Sequence, residues 1–339
     1  MLRVGVIGLG MMGNTHLDVY AKRTDVQVVA ISDANPRRLS GEERAAGNIE
    51  GQAKASFDIN SVKKYEEGKK LIRDKSIDIV DICLPTPLHA RYLKYALKAG
   101  KHVMLEKPVA RTAKEALRLV KLVQKSDRMV MVGMCMRFWP GWTWLKDAVQ
   151  NQTYGKVYAA HFRRVANHPG GAFYSDGEQC GGAILDLHIH DTDFIQYLFG
   201  MPRAVQSVGY TKLTGHTDHV MTRYIYEGQN APPMVVAEGG WVMSPGFGFS
   251  MRYTVNFEKA TAIFDLDSKD VLTLVENGQR RGIPLEQAMG YEKEIDYFIN
   301  CVKTGQKPSI VTVESAANSV KIVEAEIKSV RKNKTVKIK

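Results

Sequence analysis

The chain opens with Leu2-Arg-Val-Gly-Val-Ile7 and continues directly into Gly8-Leu9-Gly10-Met11-Met12-Gly13. The first part is a mostly apolar run of strand length, and residues 14–23 after the glycines have helix-like composition. Between a strand and a helix, this glycine spacing forms a phosphate-binding turn. The first glycine permits the tight bend, the second lets a pyrophosphate approach the backbone, and the third lets the helix pack on the strand. The stretch therefore predicts a dinucleotide site built from residues 8–13, with the free N–H groups of the helix start facing the phosphates.

An acidic residue follows at the spacing that such a site needs. Asp33 stands at the end of the second predicted strand, 20 residues beyond Gly13. Its carboxylate is placed to accept hydrogen bonds from a ribose 2′-OH, and its charge disfavours the 2′-phosphate of NADP. Arg37 and Arg38 follow closely and offer that phosphate a partner. NAD is therefore the predicted cofactor, with Asp33 and Arg38 among its contacts, and NADP is the alternative.

Up to about residue 135, short strand patterns alternate with helix patterns. The predicted strands are 2–7, 26–32, 77–84, 102–105 and 129–133, and the predicted helices are 14–23, 62–75, 90–99 and 113–125. The last helix opens with Thr112 and Glu115, a capping box. Strands separated by helices imply a parallel sheet covered on both faces. The charged segment 36–54 is predicted to be a loop with some helix.

After about residue 150 the pattern changes to strands separated by turns. These strands are predicted at 156–165, 204–213, 221–227, 234–242, 249–257, 261–266 and 271–275, and helices at 183–199, 292–303 and 314–332. The spacing favours a largely antiparallel sheet. The predicted fold class is α/β, with a dinucleotide-binding domain over residues 1–137 and an α+β domain over residues 138–339.

Composition narrows the classes of function. The chain has 47 Lys+Arg and 36 Asp+Glu, a net charge of +11, but residues 320–339 alone carry seven Lys/Arg and two Glu. This basic end lacks the interleaved aromatic residues of nucleic-acid grooves, so no nucleic-acid partner is expected. No run approaches the roughly 18–20 apolar residues of a membrane span. Four scattered cysteines favour a reducing cytoplasm over a disulfide framework or a thiolate zinc site.

Four further motifs complete the pattern. They are Pro85-Thr86-Pro87-Leu88-His89, Glu106-Lys107-Pro108, Met136-Arg137-Phe138 and Gly181-Gly182-x-x-x-Asp186-x-x-x-His190. Together with the glycine turn, and over essentially the whole chain, they resemble the Gfo/Idh/MocA family of sugar and polyol dehydrogenases. The resemblance implies an N-terminal Rossmann domain and a C-terminal domain. The open, mostly antiparallel sheet of the latter carries the substrate pocket and often the oligomer interface.

The strand-end motifs lie where open α/β sheets bind ligands, outside the carboxyl ends of their strands. The predicted cofactor contacts there are Leu84, Pro85, Thr86, His89, Glu106, Lys107 and Arg137. A lysine at such an end stabilises developing negative charge. In the family the corresponding lysine contacts both cofactor and substrate, so Lys107 inherits both roles. The peptide bond before Pro108 is a candidate for the cis form.

Asp186 and His190 are four residues apart, so a continuous helix presents both on one face. Histidine is the usual proton acceptor near neutral pH, and a neighbouring carboxylate orients it. In family terms His190 is the general base, and Asp186 is its partner or a substrate ligand. The predicted catalytic residues are thus Lys107, Asp186 and His190. The predicted substrate contacts are these three together with Arg163, His168 and Tyr174.

Two residues depart from the family pattern. Cys180 replaces the first of three usual glycines, and His188 occupies a position where a small residue is more common. His188 and His190 would share a face on a strand, as metal ligands do, but diverge by about 200° on a helix. The apolar spacing of 183–199 is helical, so no metal is predicted and His188 is interpreted as a packed, hydrogen-bonded histidine.

The sequence predicts an NAD(P)-dependent oxidoreductase that transfers a hydride between nicotinamide and a sugar or polyol. One alternative is a family member that keeps its cofactor bound and recycles it, as sugar–sugar oxidoreductases and NAD-dependent glycoside-cleaving enzymes do. A more distant alternative is a cofactor sensor without catalysis. A homodimer or homotetramer through the C-terminal sheet is expected from the resemblance.

Overall fold

The computed structural model describes residues 1–44 and 57–338 of the chain. The chain forms two compact units, Met1–Met134 with Tyr291–Ala317, and Cys135–Gly290 with Asn318–Lys339. Residues 45–54 of the predicted loop segment 36–54 lie outside the described residues. In the described parts, no helix combines the length and the apolar character needed to cross a membrane.

The predicted division at residue 137 is close to the first crossing between the units but misses the return of the chain. Residues Tyr291–Ala317 were assigned to the second domain and belong to the first unit. Ion pairs attach this segment to the start of the chain: Lys22 to Glu292, Arg23 to Asp296 and Lys303 to Asp25. Such pairings, some 270 residues apart in sequence, leave no local signal.

The first unit is built on a six-stranded parallel sheet in the order β3-β2-β1-β4-β5-β6. Its elements within Met1–Met134 are β1 (Leu2–Ile7), α1 (Met11–Ala21), β2 (Val26–Ser32), α2 (Pro36–Ser40), β3 (Lys63–Tyr65), α3 (Gly68–Arg73), β4 (Ile79–Ile82), α4 (His89–Lys98), β5 (His102–Leu105), α5 (Ala113–Gln124) and β6 (Val130–Val132). The strand order reverses between β1 and β4, and ligands of such sheets bind at this switch point.

The second unit carries a nine-stranded sheet in the order β14-β13-β12-β11-β7-β10-β9-β8-β15, antiparallel except for the β7–β10 pair. Its elements are α6 (Pro140–Gln150), β7 (Val157–Asn167), α7 (Ala172–Ser175), α8 (Gly177–Cys180), α9 (Ala183–Asp186), α10 (Ile189–Phe199), β8 (Ala204–Tyr210), β9 (His219–Ile225), β10 (Met234–Met243), β11 (Phe249–Phe257), β12 (Ala260–Asp265), β13 (Leu272–Glu276), β14 (Gln279–Gly282) and β15 (Val336–Lys337). The last helices, α11 (Gly290–Thr304) and α12 (Val313–Lys332), connect the units. The predicted fold class is therefore confirmed.

Local sequence signals are realised where they are strongest. Four strands, β1, β2, β5 and β11, have the predicted bounds. The Thr112 hydroxyl caps α5 by accepting the Glu115 N–H at 3.2 Å. The predicted helix 62–75 is wrong in its first half, because Lys63–Tyr65 pairs with β2 as a sheet edge. Charged residues at a sheet edge discourage further strand pairing, and their polarity conceals the strand.

Candidate active site

The glycine turn shows why each glycine is needed. Gly8 has a φ of 94°, and a Cβ there would lie 2.4 Å from the Cys83 carbonyl oxygen. A Cβ on Gly13 would lie 1.8 Å from the Gly8 oxygen, so packing of helix against turn excludes any side chain. Gly10 differs, because a Cβ there would meet no described atom within 4 Å. Protein packing does not explain Gly10, whereas the close approach of a phosphate does.

The start of α1 is suited to an anion. Gly10 provides no side-chain cap, and the first turn, which includes Met11 and Met12, contains no acidic residue. The N–H groups of this turn therefore stay available for phosphate oxygens, and the helix dipole favours the negative charge. The residues of this turn fit the diphosphate of a dinucleotide.

Asp33 is anchored beside the glycine turn. Its Oδ2 accepts the Leu9 N–H at 2.7 Å, and its Oδ1 accepts the Asn35 N–H at 2.8 Å. Arg38 donates through Nε to Glu43 at 3.0 Å, which lowers the pKa of that carboxyl. Because the Arg38 charge is already matched within the unit, its value for a 2′-phosphate is reduced and NAD remains favoured.

The loop after β4 contains the predicted contacts Leu84, Pro85 and Thr86, of which Thr86 is buried and Pro85 is exposed. His89 is fully buried, with Nδ1 2.8 Å from the Pro108 oxygen and Nε2 2.7 Å from the Leu84 oxygen. The prediction that His89 contacts the cofactor is not supported, since protein carbonyls occupy both ring nitrogens. His89 instead links the loops that follow β4 and β5.

The Glu106-Lys107-Pro108 motif lies at the carboxyl end of β5, and the Lys107–Pro108 peptide is cis. Lys107 is half-buried. Glu106 is 5% exposed, and its Oε2 accepts the backbone N–H of Lys107 at 3.0 Å. The Glu106 side chain is thus turned back onto its own chain, so the predicted cofactor contact by this carboxylate is not supported.

In the second unit the predicted helix 183–199 is interrupted between Asp186 and His190. His188 donates its N–H to Ala183 O at 2.8 Å, five residues back, whereas His190 donates to Leu187 O at 3.3 Å, three residues back. The simple i, i+4 relation assumed for Asp186 and His190 therefore does not hold. Such irregular turns within helices occur frequently at functional sites. Asp186 is 9% exposed and His190 is half-buried.

Buried ion pairs hold α10, the helix that carries His190. Arg164 donates to Asp191 through Nε at 2.8 Å, and Arg137 forms two bonds to Asp193 at 2.8 and 2.7 Å. All four side chains are at most 3% exposed. The predicted cofactor contact of Arg137 is therefore not supported, because a buried carboxylate within the second unit already occupies its guanidinium.

His188 belongs to a second buried group on the same helix. Its Nε2 lies 3.2 Å from the Tyr224 hydroxyl, which in turn lies 2.9 Å from Thr192 Oγ1, and Thr192 donates to Glu326. A Cβ on Gly239 would lie 2.4 Å from His188 Nδ1, so the neighbouring strand packs on the imidazole. The interpretation of His188 as a packed, hydrogen-bonded histidine is confirmed. Among the described residues, neither His188 nor His190 belongs to a group with metal-ligand spacing.

The loop between β7 and α9 has its own packing. His168 bonds Tyr174 O through Nε2 at 3.2 Å, and its Nδ1 accepts the Gly170 N–H. Tyr174 packs edge-on against Trp241, beside the fully buried Cys180. Cys180 therefore serves as a small apolar side chain in this cluster. The substrate contacts proposed for His168 and Tyr174 stay predictions, although loop bonds occupy both imidazole nitrogens.

Arg163 points away from α10, the helix that carries His190. Successive strand residues alternate between faces, and Arg164 points to the face covered by α10. Arg163 points to the opposite face, where it pairs with Glu238 at 2.9 Å beside the exposed Met221. The predicted substrate contact of Arg163 is therefore not supported by its position and stays a prediction. Arg164 shared its face with the apolar Ala160 and Phe162, and this two-residue period was the signal that was missed.

Sequence reasoning also missed several buried polar residues. The most prominent are Asp191, Asp193, Arg164, His16 and Glu294, each at most 3% exposed. Acidic residues inside an otherwise apolar helix, as in Ile189–Phe199, are a signal of buried partners because an unpaired charge is costly there. His16 gave a weaker signal, lying three residues beyond the glycine turn.

Both parts of the chain match known protein families. Residues 2–134 match the family described as "Oxidoreductase family, NAD-binding Rossmann fold", and residues 142–263 match the "GFO/IDH/MocA C-terminal domain". The chain belongs to the Gfo/Idh/MocA family. The family assignment agrees with the geometry of the glycine turn, and the first unit contains the NAD-binding Rossmann fold of this family.

Relatives over the full length support this assignment. The chain is 27% identical to the myo-inositol 2-dehydrogenase of Thermotoga maritima over 99% of this chain and 98% of that protein. It is 26% identical to the inositol 2-dehydrogenase/D-chiro-inositol 3-dehydrogenase of Halalkalibacterium halodurans, over 91% and 85% respectively. A solved structure of a probable dehydrogenase from Thermotoga maritima is 26% identical, with a TM-score of 0.80 over 99% of both chains. This Gfo/Idh/MocA member is an NAD(P)-dependent oxidoreductase acting on CH–OH groups.

Proposed function

We propose that this enzyme oxidises a secondary hydroxyl of a cyclic polyol or sugar, with His190 as general base and Lys107 as the positive group beside the developing alkoxide. The nicotinamide of bound NAD supplies the hydride acceptor. His190 takes the hydroxyl proton, Asp186 orients the imidazole or binds a neighbouring hydroxyl, and Lys107 stabilises the oxygen as negative charge develops.

This proposal rests on one observation: buried hydrogen bonds and ion pairs hold α10, the helix that carries His190, in place. Asp191, Thr192 and Asp193 follow His190 directly, and all three are buried and bonded to other elements. A proton acceptor must hold one position relative to its substrate, and a helix anchored through three successive residues provides that. In the first unit, the bond from Lys107 N–H to Glu106 defines the backbone that carries the lysine.

The substrate class rests on the relatives. Two proteins similar to this chain over most of their length are inositol dehydrogenases, so a ring bearing several hydroxyls is the first substrate to test. The cofactor is proposed to be NAD in preference to NADP, since Asp33 stands beside the glycine turn and Glu43 engages Arg38.

A homo-oligomer through the sheet of the second unit is part of the proposal. Large apolar side chains are exposed on the face opposite α10, among them Val208, Tyr210, Met221 and Met234. Such a row of exposed apolar groups is suited to burial against a second copy. A reducing, cytoplasmic location is proposed because none of the four cysteines, all of them in the described residues, forms a disulfide. Light scattering coupled to size exclusion measures the oligomeric state.

The test is a substrate panel followed by substitution of the proposed catalytic residues. NAD reduction is measured with myo-inositol, glucose, methyl glucosides and gluconate, and sustained NADH formation distinguishes a dehydrogenase from an enzyme that recycles bound cofactor. With the best substrate, His190→Ala and Lys107→Ala are each expected to lower kcat by about 10²–10⁴. Lys121→Ala replaces an exposed lysine of the first unit and serves as the control. Near wild-type kcat in either site variant would refute its assignment.

A further inference from the structure

A buried group of titratable side chains lies next to residues 106–108, here called the Lys107 turn, and belongs entirely to the first unit. It combines His16 of α1, Asp81 of β4, Glu106 at the end of β5 and Glu294 of α11. His16, Asp81 and Glu294 are 0% exposed, and Glu106 is 5% exposed. One oxygen from each of Glu106 and Glu294 lies within 4.8 Å of His16 Nε2 and of the other. The proposed mechanism uses none of their protons.

Asp81 fixes one side of His16. The imidazole Nδ1 lies 2.8 Å from Asp81 Oδ2, which also accepts the Tyr20 hydroxyl at 2.9 Å, and Cys83 Sγ lies 3.4 Å from Oδ1. With Nδ1 directed to Asp81, Nε2 faces Glu106 Oε1 at 3.3 Å. Burial is the largest effect on His16 and opposes its protonation, but the Asp81 charge, the interaction with Cys83 and the hydrogen bond to Asp81 together outweigh it and raise the His16 pKa well above its ordinary value. His16 therefore presents a positive charge to Glu106.

Glu106 connects this group to the lysine that follows it. Its Oε2 accepts the Lys107 backbone N–H at 3.0 Å, while its Oε1 faces His16. Gly133 follows β6, and a Cβ there would lie 3.1 Å from Glu106 Oε1. The glycine therefore leaves room for the carboxylate. The orientation of Glu106 is thus defined from three sides, and the first peptide of the catalytic turn depends on it.

Glu294 has no such bonds. Both of its carboxylate oxygens are buried without a hydrogen-bond partner among the described residues. Its helix is attached to α1 through Lys22–Glu292 and Arg23–Asp296, so the side chain is held in place by α11. Burial, together with the negative charges of Glu106 and Asp81, raises the Glu294 pKa well above its ordinary value, against the opposing effect of His16. A buried carboxyl group whose oxygens have no hydrogen-bond partner among the described residues favours the neutral form, and the raised pKa of Glu294 acts in the same direction.

We propose that His16 and Glu294 are positioning residues that hold the Glu106 carboxylate on the Lys107 N–H and thereby fix the backbone of the catalytic lysine. The part of this proposal that concerns catalysis rests on the proposed function of Lys107. Its structural part, the bond between Glu106 and the Lys107 N–H, does not.

The charges explain why a neutral Glu294 is required. With Glu294 uncharged, the His16 cation lies between the two carboxylates of Asp81 and Glu106, and Tyr20 and Cys83 add no charge. An ionised Glu294 would place a second negative charge within 4.8 Å of Glu106 in a site without solvent. Like charges that close repel strongly where the dielectric constant is low, and Glu106 would turn away from its present position.

Amide hydrogen exchange at Lys107 tests the proposal without any substrate. In protein labelled with ¹⁵N-lysine, the Lys107 amide is assigned by its loss in Lys107→Arg. In Glu294→Ala and in His16→Asn, which keeps a donor for Asp81, exchange at this amide is expected to rise about tenfold, as loss of one hydrogen bond predicts. Glu294→Gln, a permanently neutral side chain of the same shape, should restore most of the protection. Glu66→Gln removes an exposed carboxylate of the same unit and is the control.

A kinetic arm separates this proposal from the proposed function. With the substrate identified by the panel, Glu294→Ala is expected to lower kcat about tenfold while the KM for NAD stays within about twofold, since the glycine turn is untouched. If no polyol or sugar is oxidised, the proposed function fails and the exchange result still stands. Unchanged Lys107 exchange in folded Glu294→Ala and His16→Asn would overturn the proposal. So would one divalent metal per chain by mass spectrometry, because the carboxylates would then be ligands.

Discussion

The two units bury their charges in opposite ways. Around α10, each buried cation has its own anion, Arg164 with Asp191 and Arg137 with Asp193. In the first unit, three carboxylates surround the single imidazole of His16. The matched pairs hold α10 in place, whereas the unmatched group leaves the Glu294 carboxyl without a cation of its own beside the Lys107 turn. Buried charge therefore contributes rigidity in the second unit and a protonation-dependent geometry in the first.

The largest expected effect comes from breaking a matched pair. Asp193→Ala leaves the Arg137 cation buried without its partner and should cost about 3–5 kcal/mol of stability. All four tryptophans lie in the second unit, so their fluorescence during urea unfolding reports on that unit. Glu227→Ala breaks the exposed Arg203–Glu227 pair and is the control, with an expected change below about 1 kcal/mol. Equal losses in both variants would contradict the distinction drawn for the buried pairs.

Two glycine substitutions separate stability from binding in the first unit. Gly13→Ala places a Cβ against the Gly8 carbonyl and is expected to cost about 1–3 kcal/mol or more. Gly10→Ala meets no described atom, so the stability of the free protein should change by less than about 0.5 kcal/mol. Its NADH affinity, measured by nicotinamide fluorescence, should nevertheless fall at least tenfold because the diphosphate can no longer approach. Normal affinity in Gly10→Ala would remove the diphosphate from this turn.

The last prediction concerns pH and the unmatched group. The unfolded chain ionises Glu294 above about pH 4.5, whereas the folded chain keeps the proton, so folding becomes less favourable as pH rises towards the folded pKa. His16 acts in the same direction, because its stabilisation is complete below about pH 6.5 and is lost as pH rises through its raised pKa. Far-UV circular dichroism during urea unfolding, from pH 6 to pH 8, should reveal a loss of about 1 kcal/mol per pH unit for each such proton. Glu294→Gln should flatten this slope, and the exposed control Glu66→Gln should not.

The sequence was sufficient for features that depend on neighbouring residues. The glycine turn, the strands on either side of it and the Thr112 cap were predicted because their signals lie within a few residues. The i, i+4 relation of Asp186 and His190 failed for a different reason. His188 is packed against Gly239 on a distant strand, and the helix around it adjusts its hydrogen bonds.

Contacts with distant partners could not be predicted from neighbouring residues. Arg137, His89 and Glu106 follow strand ends, as cofactor contacts do, yet each side chain is engaged by its own unit. Nothing near Arg137 in the sequence indicates that its guanidinium will pair with Asp193, 56 residues away. Arg163 could have been placed correctly, since the alternation of apolar residues along β7 already assigned Arg164 to the covered face.

The return of Tyr291–Ala317 to the first unit has a consequence for how the protein is made. The six-stranded sheet is complete at Met134, but the helix that carries Glu294 leaves the ribosome much later. The first unit ends at residue 317, 183 residues after residue 134, which at about 5–20 residues per second takes roughly 10–40 s. During that interval the nascent sheet exists without α11 beside His16 and Glu106. The Lys107 turn therefore acquires its final support only after α11 has been synthesised.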